Sequence, residues 1–508
     1  MKIKHKGNFQ SIVSARCAMD AMKYSRNINN LDEKSSQLVQ QQIIPIDVSL
    51  KLNSILNRLD LDEKLDLYIC KEPHTWFIAD NSFREDYINL IKGKSNSLEF
   101  NQEDLSVLYS KGLLNVNGNS MQLPSLRGRY AVRSDNVALI SVTDKCNLSC
   151  NHCVANANKN FLGNDELILE ELKRTFKYLG QEVNPYGLDI EKKVFISGGE
   201  PSERKDLTDI ALACSDEGLS THICTNGLLI DSSLLKRLKG KDVAFSVSLD
   251  GREKNHELVR GYGTFQPTLE AISSMHKEGF DIFLNTFLHQ GNLDDVKYLV
   301  NLGAEMGVRG INFIRAIPRG RGKNMEFKRV PDKVLFKEIY NLMKEDSAFY
   351  KLLENENTFS ILALSAVSGI KSLNCGLSRE NYFFLDSVGN VFPCPGMRYD
   401  EFLVGNIREN NLNNLLEKRK SSHFLELRVD DFPSCSACDF MYFCGGDCRG
   451  SAYGNSNPKN IKSSIPYCFE RRESLLELFR ILGRDPHFLE NKSNWVIQNA
   501  REETEKGK

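Results

Sequence analysis

From residue 136 to about residue 316 the chain alternates strand-length apolar runs with helical stretches. The runs lie at 137–142, 194–196, 222–224, 243–247, 282–286 and 311–314. Helical patterns fill 166–179, 207–217, 232–238, 268–278 and 293–306 between them. Successive strands separated by helices must run parallel, because a parallel pair needs a crossover connection. The runs are apolar without alternation, the pattern of strands buried on both faces. Closed or partly closed, six such units predict a TIM-like (β/α)6 partial barrel, with function at the C-terminal ends of its strands.

The loops at those ends carry unusual chemistry. After the first strand comes Cys146-Asn147-Leu148-Ser149-Cys150-Asn151-His152-Cys153. Three thiolates on one short loop can hold three corners of an iron–sulfur cube and leave its fourth iron open to a small molecule. A zinc site completed by His152 or a distant residue uses the same residue types. After the second strand comes Ser197-Gly198-Gly199-Glu200-Pro201. Two glycines allow close approach to the backbone, and Glu200 offers a carboxylate to an ammonium group.

The C-x3-C-x2-C triplet followed one unit later by this GGE segment resembles the radical S-adenosylmethionine (radical SAM) family. The resemblance implies that Cys146, Cys150 and Cys153 hold a [4Fe–4S] cluster whose open iron is chelated by S-adenosylmethionine. It places Gly198, Gly199 and Glu200 against the cofactor amine. His152 stands where the family usually has an aromatic residue. Thr225 and Asn226 end the third strand, and Ser248-Leu249-Asp250-Gly251 ends the fourth, followed by His256-Glu257-Leu258-Val259-Arg260-Gly261. This S-L-D-G…H-x-x-x-R-G pattern is similar to the radical SAM branch with C-terminal SPASM domains, and makes Ser248 a candidate for the cofactor carboxylate or ribose. Thr225 and Asn226 are cofactor contacts or simple Asn-Gly turn chemistry. Arg260 is open to a fixed ion pair with a helix-end acid. Arg315, Arg319 and Arg321 suit a solvated basic loop or contact with a carboxylate.

The chain has 14 cysteines, and half of them fall between 375 and 468. Cys375 precedes Gly389-x4-Cys394; Cys435-x2-Cys438-x5-Cys444-x3-Cys448 and Cys468 follow. A zinc ribbon uses such a C-x2-C-x5-C-x3-C run, but the full order resembles the SPASM pattern. That resemblance implies two auxiliary [4Fe–4S] clusters, one on Cys435, Cys438, Cys444 and Cys468 and one on Cys375, Cys394 and Cys448. The second is one ligand short, because 376–393 contain no cysteine. Cys17, Cys70, Cys214 and Cys224 read as free buried cysteines. Relatives that oxidise a serine or cysteine of a client protein place an aspartate after the cysteine of G-x4-C; here that residue is Pro395, which counts against that activity.

The remaining segments set the organisation. At 67–70 and 76–78 a hairpin is expected across 71–74, followed by helical patterns at 80–92 and 101–114 and a strand near 114–116. This α+β zone is either a winged-helix module for leader-peptide recognition or a cap on the barrel. The expected domains are 1–130 (peptide recognition or capping), 131–335 (barrel), 336–374 (helical connector), 375–470 (SPASM) and 471–508 (helical tail).

Charge narrows the partners. Lys and Arg number 66 against 67 Asp and Glu, a net of −1, so no global field captures nucleic acid or anionic membrane. The basic start is followed by no apolar signal segment, and the near-apolar run at 359–370 is too short to span a membrane. A cytoplasmic protein is expected, where clustered cysteines favour metal or redox chemistry over disulfides. The resemblance implies a 5′-deoxyadenosyl radical acting on a ribosomal precursor peptide, forming an intramolecular C–C or thioether crosslink, with flavodoxin or ferredoxin as electron donor. A maturase of a client enzyme, through side-chain oxidation or cofactor-residue formation, is the nearest rival. A non-catalytic iron–sulfur electron-transfer protein is the rival of a different class.

Overall fold

The computed structural model describes residues 57–71, 74–80, 136–161, 165–181, 192–315, 320–324, 328–346, 382–420 and 427–485, with short pieces at 50–52, 83–84, 88, 113–116, 119–120, 349, 352–353 and 377. Cys17, Cys375 and Arg319 lie outside the described residues, as do most of the helical patterns expected at 80–92 and 101–114.

The N-terminal strands are β1 (Leu50–Leu52), β2 (Asn57–Asp60), β3 (Leu65–Lys71), β4 (His74–Asp80), β5 (Leu114–Val116) and β6 (Asn119–Ser120). Strands β2, β3 and β4 form an antiparallel sheet with β3 in the middle, which realises the expected hairpin and adds a strand to it. Side chains alternate across a strand, and both faces of this hairpin are used. Tyr68 and Phe77 stack at 4.9 Å with Phe83 edge-on. Trp76 on the other face meets Phe479, ring centroids 4.9 Å apart.

The barrel follows in the predicted order: β7 (Asn136–Ser141), α1 (Leu169–Gln181), β8 (Lys192–Ser197), α2 (Leu207–Asp216), β9 (Ser220–Thr225), α3 (Ser232–Leu238), β10 (Val243–Ser248), α4 (Glu253–Arg260), α5 (Phe265–Lys277), β11 (Asp281–Leu288), α6 (Val296–Glu305) and β12 (Gly310–Arg315). All six strands pair parallel to their sequence neighbours. Local chemistry explains the helices: Asp231 caps α3 by accepting from the Leu234 N–H, and Lys236 and Arg237 meet its negative C-terminal dipole. Uniform burial holds along most of β10, whereas burial alternates in β8 and β9. The half-buried positions Ser197 and Cys224 line a cavity on the concave side.

After α7 (Asp332–Glu345) the chain returns to the same sheet. Strand β10's neighbours were legible in the sequence; β13 (Tyr382–Leu385) was not, and it adds in parallel to β7. Strands β14 (Asn390–Phe392) and β15 (Gly405–Asn406) continue antiparallel, giving nine strands in the order β12-β11-β10-β9-β8-β7-β13-β14-β15. The cysteine-rich region is therefore built onto the edge of the barrel. It continues through α8 (Leu412–Lys420), α9 (Pro433–Ser436), α10 (Met441–Cys444), α11 (Arg449–Asn455) and α12 (Cys468–Arg484).

Helix α12, read from the sequence as a tail, is an internal strut. Its Leu475, Leu478, Phe479 and Leu482 are buried in the main core, and it packs on α7 and on the N-terminal sheet. Arg480 Nε donates to the Leu61 carbonyl. Among the described residues no helix is long and apolar enough to cross a membrane.

Candidate functional site

One cavity of about 320 Å³ opens at the C-terminal ends of the barrel strands. Cys146, Cys150 and Cys153 line it together with Gly198, Gly199, Glu200, Thr225, Asn226 and Ser248, so the expected barrel-site residues converge on one place. Burial pushes the Cys146 thiol up to about 12, and the neighbouring Glu200, Cys150 and Cys153 charges push the same way. Burial also raises Cys150. Three mutually repelling thiolates in such a place need cationic metal to become favourable. The donor set therefore fits an iron–sulfur cube. No group of three or more His, Cys, Asp or Glu among the described residues is drawn together as for a single metal ion.

The loop that carries the thiols is held from several sides. The Cys153 N–H donates to the Cys150 carbonyl, and the Asn151 N–H donates to the Val259 carbonyl. Arg321 clamps it from outside: its backbone N–H donates to the Cys153 carbonyl and its Nε donates to the Cys150 carbonyl at 2.9 Å. Arg321 also lines the cavity, so it is no solvated loop residue. The Arg315 side chain is not among those described.

The two glycines have a further reason beside the one expected. A Cβ on Gly198 would lie 2.3 Å from the Thr143 carbonyl oxygen, and one on Gly199 would lie 2.2 Å from that of Lys145. Gly199 and Glu200 donate their N–H groups to those same carbonyls. The bare backbone lets the segment lie against the thiol loop, fixing the two parts of the site in one register.

Glu200 is fully buried, and burial raises its pKa. Its carboxylate nonetheless accepts from the Asn226 N–H at 2.7 Å, Thr225 Oγ1 at 2.7 Å and the Ser202 N–H at 3.1 Å. Thr225 and Asn226 thus serve the acid directly, beyond turn formation. Asn226 Nδ2 further donates to Asn147 Oδ1 within the thiol loop.

The S-L-D-G…H-x-x-x-R-G pattern forms one buried unit. Arg260 Nε donates to Asp250 at 2.6 Å, and the Phe287 N–H donates to the same carboxylate at 2.7 Å. Burial opposes the Asp250 charge, but Arg260 and the neighbouring histidines hold its pKa below the usual carboxylate value. His256 accepts from the Asp250 N–H, and burial pushes its pKa down to about 4. The ion-pair reading of Arg260 is therefore correct, and the cation also borders the cavity. His152 stacks on Phe287 with centroids 4.4 Å apart, and burial likewise holds it near 4.

Residues that the sequence did not single out also line the cavity: Cys224, Asn285, Phe287 and Ile314. Asn285 was findable as a polar residue inside an apolar strand. Cys224 was read as a bystander, yet it borders Glu200, and burial pushes its thiol to about 12. Cys70 and Cys214 are buried in the protein, as expected.

In the second cysteine region, Gly389 forms the β13–β14 turn at φ +94° and presents Cys394 just beyond β14. A Cβ on Gly450 would meet the Gly396 carbonyl oxygen at 2.4 Å, so the Cys394-Pro395-Gly396 and Cys448-Arg449-Gly450 segments touch through bare backbone. Cys435, Cys438 and Cys468 are near enough that Cys435 senses both of the others. Gly445, Gly446 and Asp447 all have left-handed backbone, which reverses the chain between Cys444 and Cys448. Cys394 also packs in one apolar cluster with Cys435 and Cys438, so the described thiols of this region lie close together.

Residues 140–302 match the family model described as the radical SAM superfamily, and residues 375–439 match SPASM, an iron-sulfur cluster-binding domain. The Fe-coproporphyrin III synthase of Methanosarcina barkeri is 31% identical over 70% of this chain and 93% of its own length. The AdoMet-dependent heme synthase of the same organism is 29% identical over 65% and 95%. Mycofactocin maturase MftC of Mycolicibacterium smegmatis is 27% identical over 65% and 81%. Among solved structures, anSMEcpe with bound AdoMet and Kp18Cys peptide shares the fold with a TM-score of 0.55 at 21% identity, covering 70% of this chain and 99% of that one. Streptococcus suis SuiB bound to precursor peptide SuiA shares it with a TM-score of 0.51 at 15% identity, covering 84% and 99%.

Proposed function

Because the chain belongs to the radical SAM superfamily and carries a SPASM iron–sulfur domain, we propose that this enzyme is a maturase installing an intramolecular C–C or thioether crosslink in a ribosomally made precursor peptide. Its cofactors are S-adenosylmethionine and three [4Fe–4S] clusters. When bound, they supply a one-electron cleavage that yields a 5′-deoxyadenosyl radical able to take hydrogen from an unactivated carbon.

The protein's own residues bind, orient and exclude water. Cys146, Cys150 and Cys153 hold the barrel cluster. Glu200 receives the cofactor amine; its raised pKa means that the carboxylate is best stabilised once that ammonium is beside it. Thr225, Asn226 and Ser202 aim the acid, and Ser248 serves the cofactor carboxylate or ribose. The Asp250–Arg260 pair and the His152–Phe287 stack close the wall behind the thiol loop. Cys435, Cys438, Cys444 and Cys468 hold one auxiliary cluster. Cys375, Cys394 and Cys448 would hold the other; bound there, the auxiliary clusters would supply a sink for the electron that a closed-shell crosslink must lose.

The observation that carries the peptide reading is the N-terminal sheet. Strands β2, β3 and β4 stand beside the auxiliary region on α12, and Asn57 Nδ2 donates to Asp439 next to Cys438. An outer strand there can accept an extended peptide by strand addition. The likeness to SuiB, which spans 84% of the chain, is consistent with such an N-terminal addition. The identity to Fe-coproporphyrin III synthase and to AdoMet-dependent heme synthase favours a second reading, tetrapyrrole chemistry, with Fe-coproporphyrin III, the product of the one, as the candidate precursor for the other.

The test is anaerobic incubation of the reconstituted enzyme with S-adenosylmethionine, reductant and either any short peptide encoded beside its gene or Fe-coproporphyrin III. Loss of two hydrogens from the peptide is expected. Carboxyl loss from the porphyrin with the peptide unchanged would replace this reading by the second.

A further inference from the structure

Arg449, the residue after Cys448, is fully buried at 0% exposure. Its Nη1 donates to the Ile461 and Ser463 carbonyls at 3.1 and 2.9 Å. Its guanidinium carbon sits 4.7 Å from the centre of the Phe432 ring. Nε and Nη2 are buried with no hydrogen-bond partner, and no carboxylate pairs with the cation among the described residues. A neighbouring arginine differs: Arg471 is also buried, but it pairs with Asp447 and Asp332. A buried charge lacking a counter-ion is expensive enough that folds normally supply one.

The guanidinium lies against the segments that carry cluster cysteines. Phe432, whose ring it covers, accepts the Cys435 N–H with its carbonyl at 2.8 Å. A Cβ on Gly446, two residues after Cys444, would lie 3.4 Å from the guanidinium carbon. The cation is therefore placed beside the segments of two of the four cysteines assigned to one auxiliary cluster. Its two unused N–H groups have the chemistry for N–H···S hydrogen bonds.

We propose that Arg449 is the built-in counter-charge of the auxiliary cluster held by Cys435, Cys438, Cys444 and Cys468, and that it raises that cluster's reduction potential. The proposal rests on the ligand assignment above. Reduction adds one negative charge to the thiolate-bound cluster. A fixed cation in a poorly polarisable interior stabilises the reduced state more than the oxidised one. Hydrogen bonds to cluster sulfur act in the same direction. Arg449 is a tuning residue and touches neither substrate nor S-adenosylmethionine.

The experiment is an EPR-monitored redox titration of the full-length, anaerobically reconstituted protein, with iron counted in parallel. Arg449→Met should lower the auxiliary potential so that reduction is at least about tenfold less favourable, roughly 59 mV for one electron. Arg449→Lys keeps the charge, so it should load iron fully and stay closer to wild type. If Arg449→Met fails to load, the lysine variant carries the test: full iron and a near-native potential support the role, and a drop of tenfold or more overturns it. Full iron in Arg449→Met with an unchanged potential would overturn the role alone. Wild-type protein with iron for the barrel cluster only would overturn the ligand assignment together with the role.

Discussion

At the scale of single residues, the site combines a legible donor set with supports that were not legible. The cysteines announce themselves because spacing on one loop is itself the chemistry. The service of Ser202 and Thr225 to Glu200 is invisible in sequence, since it depends on two strand ends meeting in space. Gly199 shows the same gap: a glycine was expected there for a ligand, and the structure adds a close approach to the Lys145 carbonyl. Gly199→Ala should therefore cost the barrel cluster about 4 iron atoms of roughly 12 per chain, read as iron content, while the auxiliary iron remains.

The Asp250–Arg260 pair makes a stability prediction. Replacing Asp250 by Asn leaves Arg260 charged and buried beside a neutral amide, a loss of about 3–5 kcal/mol in chemical denaturation. The sign with pH follows from the depressed Asp250 value. Its contribution is fully present above the unfolded carboxylate value of about 3.9 and fades as pH falls through the lower folded value. The stability gap between wild type and Asp250→Asn should hold at neutral pH and narrow only below about pH 4.

At the scale of elements, periodicity located all six barrel strands because each is a compact apolar run between helices. It missed β13, four residues long in a stretch read only for the cysteines that flank it, whose place in the barrel sheet is set by pairing with β7. It missed α4 as well, since Glu253–Arg260 was read for its motif residues. The helical stretch of α12 was legible, but its packing partners were not, for a related reason. An amphipathic stretch shows that a face is buried, but not against what, and here the partners are α7 and a sheet about 400 residues away in sequence. Trp76 is the main wedge in that contact. Trp76→Ala should destabilise the docked sheet by about 3–5 kcal/mol, and limited proteolysis should cut the N-terminal segment far faster than in wild type. Equal cutting rates would mean that the sheet is held elsewhere.

At the scale of the whole molecule, the two thiol regions are built on one sheet. The barrel thiols lie at the C-terminal ends of its parallel strands, and the auxiliary thiols follow from its β13 edge. The balanced net charge of the chain suits the proposed peptide substrate, since a local edge would meet it without a global field. Cys146→Ala should separate the parts, abolishing 5′-deoxyadenosine formation while most auxiliary iron stays bound. The most direct measurement of the central claim is the stoichiometry of 5′-deoxyadenosine against product with any short peptide encoded beside the gene. The account predicts one 5′-deoxyadenosine for each peptide that loses two hydrogens. Turnover that leaves the peptide mass unchanged while Fe-coproporphyrin III is consumed would contradict it.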